Sequence, residues 1–88
     1  MSRWQLSGVL NLSTVPDLWR EMAAQIHASK QLVVSLEGVE SASSAALALL
    51  LQGQDEARKV GCELHYEQIP EDLQALAKVS NVLELLEA

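Results

Sequence analysis

The chain has 88 residues, 49% of them hydrophobic, and carries a formal net charge of −6. That length suits one domain with a single core, built mostly from aliphatic side chains because the aromatics are only Trp4, Trp19 and Tyr66. The basic residues Arg3, Arg20, Lys30, Arg58, Lys59 and Lys78 are scattered, which argues against nucleic acid and against an anionic membrane as partners.

Arg3 to Gly8 alternates, with Trp4 and Leu6 set against Arg3, Gln5 and Ser7, and predicts a half-buried strand. Val15, Leu18, Trp19, Met22 and Ile26 then fall on one face of a helix. Ser13 or Thr14 is placed to cap it, Pro16 suits its first turn, and Asp17 complements its dipole. Gln31 to Leu36 is nearly all apolar, as a central strand covered on both faces would be, and Glu37-Gly38 reads as a turn. A helix follows from Ser44 to Val60, with Ala46, Leu50, Gly53, Ala57 and Val60 on one stripe and Gly61 as its terminating residue. Cys62, Leu64 and Tyr66 alternate with Glu63, His65 and Glu67, a strand with one wet face. Pro70, Glu71 and Asp72 open a helix that turns Leu73, Leu76 and Ala77 inward and ends near Asn81. Val82 to Leu86 fits either a last short helix or an edge strand.

The order β-α-β-α-β-α predicts an α/β domain with a small, mostly parallel or mixed sheet. Two of its strands are half polar, so the helices are expected mainly on one face. Cys62 is alone, which leaves no intramolecular disulfide. MSRWQLSG holds no signal-peptide core, and the longest apolar run, Ala45 to Leu51, is far short of a membrane span. The expected location is the cytoplasm, with no direct membrane insertion.

Chemistry is sparse. His27, Cys62 and His65 do not form a metal-ligand pattern, because Cys62 and His65 lie three apart on a strand and point to opposite faces. The glycines at 8, 38, 53 and 61 make no phosphate loop, and no G-x-S-x-G elbow occurs. The expectation is a protein that is not an enzyme, with no cofactor and no metal.

The stretch SASSAALALLLQ, Ser41 to Gln52, is the informative one. Ser43 and Ser44 stand where a strand gives way to a helix. A hydroxyl there either caps the unsatisfied backbone N–H groups or offers a contact or phosphorylation point, and spacing alone leaves both open. Leu47 and Leu51 serve either the core or a partner groove.

LVVSLEGVESASSAALALLL resembles the core of a STAS domain, the fold of anti-sigma-factor antagonists and sulfate-transporter tails. Those proteins follow a strand and a Gly-Val turn with D-S-S-G-L or D-T-G-G-L at the head of a helix. The resemblance runs over nearly all of residues 1–88, from LSGVLN to LAKVSNVLELL, and implies a single STAS domain without the first strand of longer members. Here Ser43 falls at the family's usual Asp, Ser44 on the next hydroxyl, Ala45 at the antagonists' phosphorylated Ser, and Ala46 at the Gly. After Ser44 the chain reads A-A-L-A-L-L-L, and LSGVLNLSTVPDLW reaches Trp19, both similar to the STAS subunit of the Mla phospholipid-transport system.

That resemblance implies a non-catalytic subunit that binds, and stabilises or regulates, the cytoplasmic ATPase of an ABC phospholipid transporter. It would sit peripheral to the inner membrane and help to maintain outer-membrane lipid asymmetry. Ser43, Ser44, Ala45, Ala46 and Leu47 are the implied partner-binding or phosphorylatable positions. The alternative is an anti-sigma-factor antagonist, a partner switch phosphorylated on Ser44 or Ser43.

Overall fold

The computed structural model describes residues 2–79, so the expected end of the last helix at Asn81 and the segment Val82 to Leu86 lie outside the described residues. The elements run β1 (Ser2–Leu10), α1 (Val15–Ala28), β2 (Gln31–Ala42), α2 (Ser44–Val60), β3 (Glu63–Glu67) and α3 (Glu71–Val79). The three strands pair in the order β1-β2-β3, and both pairings are parallel. Crossovers that step the same way across a sheet share one hand, so α1 and α2 must lie on the same face. Leu6, Leu32, Val34, Leu36 and Leu64 from that face join Met22 and Ile26 of α1, Leu49, Leu50 and Ala57 of α2, and Leu73 and Ala77 of α3 in one core.

Two glycines shape α2, one by its packing and one by its end. A Cβ on Gly53 would collide with Met22 Cε and the Tyr66 hydroxyl, so any larger residue here would force those two side-chain ends to shift. Tyr66 then donates its hydroxyl to the Leu50 carbonyl at 2.7 Å, fixing β3 beneath α2. Gly61 ends the helix in the left-handed region, at φ 75°, and the Cys62 N–H closes back on the Ala57 carbonyl at 2.8 Å.

Several boundaries differ from expectation. Glu37-Gly38 is not a turn, since β2 continues to Ala42. Its register with β1 slips between Gln5 and Ser7 and again between Gly8 and Val9, so β2 carries an extra residue at each irregularity. A Cβ on Gly38 would stand 2.7 Å from Gln5 Nε2 and 2.8 Å from Ser7 Cβ, which makes this glycine a close-approach residue inside a bulged strand. Val60, expected on the buried stripe, is exposed.

Among the described residues the helices cover one face of the sheet, as its half-polar strands led one to expect. Val33 and Ser35 on the other face are nevertheless only 9% exposed. Register explains this. Arg3 pairs with Val33 and Glu67 with Ser35, so the Arg3–Glu67 ion pair must reach across β2 and lie over both residues.

Candidate protein-interaction site

At the carboxyl end of β2 the chain turns into α2 at Ser43, whose extended backbone (φ −131°, ψ −174°) makes it the N-cap. Its hydroxyl accepts from the Ala45 N–H at 3.2 Å and donates to the Leu10 carbonyl at 3.3 Å. One serine therefore ties the end of β1 to the start of α2. Its carbonyl accepts from Ala46 and Leu47, which begins the helical ladder.

Ser44 is the first helical residue, and it is exposed. The first turn of α1 carries Asp17 and that of α3 carries Glu71 and Asp72, but the first turn of α2 holds no acid. The positive end of the α2 dipole therefore meets solvent without a carboxylate of its own turn.

The loop facing it is stiffened by two polar side chains. Asn11 Oδ1 accepts from the N–H groups of Ser13 (2.8 Å) and Thr14 (3.2 Å). Thr14 Oγ1 accepts from the Asn11 N–H at 3.0 Å and donates to the Val9 carbonyl at 2.8 Å. The sequence pointed to Ser13 or Thr14 as the cap of α1. Thr14 does occupy that position, but its side chain makes no cap bond and Asn11 takes over the task. The outcome is a fixed loop that holds Leu12 84% exposed, with Val9 43% exposed beside it. Asn11, Leu12, Ser13, Ser43, Ser44 and Ala45 line a shallow depression of about 390 Å³.

Of the five expected site positions, Ser43, Ser44 and Ala45 meet at this depression. Ala46 is fully buried and Leu47 is 6% exposed, so both belong to the core and act on the surface only by holding the helix start against the sheet. Leu12 escaped the sequence reading, although a large aliphatic inside the otherwise polar run Asn11 to Thr14 was a signal.

The histidines and the cysteine lie elsewhere. His27 Nε2 is 2.6 Å from Glu56 Oε2, bridging α1 and α2. Glu56 is twelve residues beyond Ser44, about 18 Å along the helix. His65 is exposed on the face away from the helices, while Cys62 is buried. No group of three potential metal ligands occurs among the described residues. Burial pushes the Cys62 thiol up, with the neighbouring Glu63 carboxylate adding to it, and burial raises the Tyr66 phenol strongly. What the depression offers is a hydroxyl, backbone N–H groups at a helix start and an exposed leucine, the makings of a contact surface.

The fold is shared with known proteins. It is similar to the anti-sigma factor antagonist SpoIIAA in its unphosphorylated form, with a TM-score of 0.73 and 16% identity over 96% of this chain and 76% of that one. It is also similar to the SulP transporter STAS domain from Vibrio cholerae, with a TM-score of 0.70 and 13% identity over 97% of this chain and 66% of that one. No curated protein matches the chain in sequence. The family described as "Mlab, STAS domain" matches residues 2–87, and the chain belongs to that family.

Proposed function

We propose that residues 1–88 form one STAS domain that acts without catalysis, by binding the ATPase of an ABC transporter that moves phospholipid and helps to keep the outer membrane asymmetric. The observation that carries this reading is the surface at the head of α2, where exposed Leu12 and Ser44 flank a depression lined by small and polar residues. Leu12, held out by a hydrogen-bonded loop with Val9 also exposed, has no role in this domain's own core, and a protein partner gives it one. Membership of the Mlab-type STAS family selects the ATPase among possible partners. The domain then stabilises or regulates that ATPase from the cytoplasmic side, peripheral to the inner membrane through its partner. No described helix is long and apolar enough to cross a membrane itself.

A second reading rests on Ser44. Its exposed position at a helix start without an acid in the first turn would stabilise a phosphate. This is the arrangement a phosphorylated partner switch needs. The tagged protein, isolated from its own host, is expected to bring down an ABC ATPase and to change that enzyme's phosphate-release rate or stability on remixing. Recovery of a serine kinase and a phosphorylated Ser44 or Ser43, with no ATPase, would replace the first reading by the second. Phosphate release by the isolated domain that survives repurification and is lost in a Ser43→Ala, Ser44→Ala double variant would end the non-enzyme reading.

A further inference from the structure

From the outer edge of β3 we infer a second docking surface, one that takes an extended protein segment with alternating cationic and aliphatic side chains. This edge lies at the end of the molecule opposite Ser44. In the described sheet β3 is an edge strand, with β2 on one side only. The Glu63 N–H bonds to the Lys30 carbonyl at 2.8 Å. In a parallel ladder alternate residues face the same neighbour, so Glu63, His65 and Glu67 direct their backbone groups to β2, and Leu64 and Tyr66 direct theirs outward. Among the described residues, one of those outward groups has a partner, the Leu64 carbonyl, which accepts from Gln54 Nε2 at the long distance of 3.5 Å. Beside this edge lies a groove of about 380 Å³, lined by Gln54, Arg58, Cys62, Glu63, Leu64 and His65. A ladder of outward backbone groups next to an apolar-floored groove is what an added strand requires.

Charge and side-chain direction choose the occupant. A strand added here places alternate side chains on the two faces of the sheet. On the face away from the helices they meet Glu63, next to His65 and to the Glu67 already paired with Arg3, and the whole chain carries −6, so Lys or Arg fits opposite Glu63. On the helix face they enter the groove over Leu64, beneath Gln54 and Arg58, where an aliphatic chain fits. A second copy of this protein is a poor occupant. Its own Cys62 and Leu64 are already buried in its core and cannot fill the groove. Pairing centred on His65 would also set Glu63 of one copy against Glu67 of the other. Because this surface is distant from the head of α2, the two can be occupied at once.

The test is amide NMR on the isotope-labelled domain, titrated with a nine-residue capped peptide alternating lysine and valine. The expected result is saturable shifts and slowed hydrogen exchange centred on the amides of Leu64 and Tyr66, with the Ser43 to Ala45 amides unmoved. Glu63→Lys, at an exposed position, should weaken binding roughly threefold, the size of one cross-strand charge pair. Equal binding of a peptide with glutamate in place of lysine, or of one with the same lysines and valines in two blocks, would overturn the inference. So would an unaltered affinity in the Glu63→Lys domain that retains its unfolding transition. Protection of Leu64 and Tyr66 that grows with protein concentration alone would assign the edge to self-pairing instead.

Discussion

Ser43 and Ser44 are neighbours with the same side chain, and the structure gives them opposite tasks. Ser43 spends its hydroxyl on the cap and on the Leu10 carbonyl, whereas Ser44 faces solvent at the first helical position. Ser43→Ala should therefore lower stability by about 1 kcal/mol, the usual size of an N-cap loss, and Ser44→Ala should leave it unchanged. Paired denaturant titrations read the difference directly. Ser44→Glu should fold as well as the parent, because a carboxylate at a helix start is favoured, yet lose its partner by carrying an unpaired charge into the contact. Loss of fold together with binding would make Ser44 a structural residue. Leu12→Ser should weaken partner binding at constant unfolding midpoint, since this side chain touches little of its own domain. The two serines were legible in the sequence because hydroxyls before an apolar helical run are a capping signal. Which of the two caps was not, since that depends on the backbone angles of a single residue. Leu12 was hidden for a related reason: its exposure comes from the Asn11 and Thr14 hydrogen bonds, which no periodicity encodes.

Periodicity carried the elements themselves. The helical stripe of α1 placed Met22 and Ile26 inward, and the alternation after Gly61 placed Leu64 inward and His65 out, because both patterns report a single buried face. The pattern failed where glycine serves distance and not chain reversal. Glu37-Gly38 has the composition of a turn, but the bulged β2 passes straight through it against Gln5 and Ser7. The apolar run of β2 implied cover on both faces, and on the face without helices an ion pair from the flanking strands supplies it. Gly53 tests the same principle within α2. Alanine has the higher helix propensity, worth up to about 1 kcal/mol in its favour. Its methyl would nonetheless meet Met22 Cε and the Tyr66 hydroxyl, and overpacking of a core typically costs about 1–3 kcal/mol. Gly53→Ala should be net destabilising, with the Tyr66–Leu50 hydrogen bond the first casualty. A rise in unfolding midpoint for this variant would show that α2 can move off the sheet without penalty.

At the scale of the whole molecule, one layer of helices on one face of a three-stranded sheet leaves a thin core, and two ionisable groups sit within it or at its margin. Cys62 and Tyr66 both have raised pKa values, mainly through burial. Both groups are neutral when protonated, so the folded state keeps its protons to higher pH than the unfolded chain does. Above about pH 8.5 the unfolded thiol ionises first, and above about pH 10 the unfolded phenol follows. In that window the unfolded state binds fewer protons than the folded state, so stability falls as pH rises, by up to about 1.4 kcal/mol per pH unit for each group that ionises only on unfolding. The stabilising contribution is complete below pH 8, where both states hold both protons. Denaturant midpoints from pH 7 to 11 should decline in two stages. Cys62→Ala should flatten the first stage, and Tyr66→Phe the second, each relative to the parent curve, so that the titration of surface lysines cancels in the comparison. The same burial should make Cys62 slow to react with thiol reagents at neutral pH, and fast only after unfolding. A parent protein whose midpoint stays level to pH 10, with a thiol that reacts as quickly as a free cysteine, would mean that β3 separates from α2 in solution.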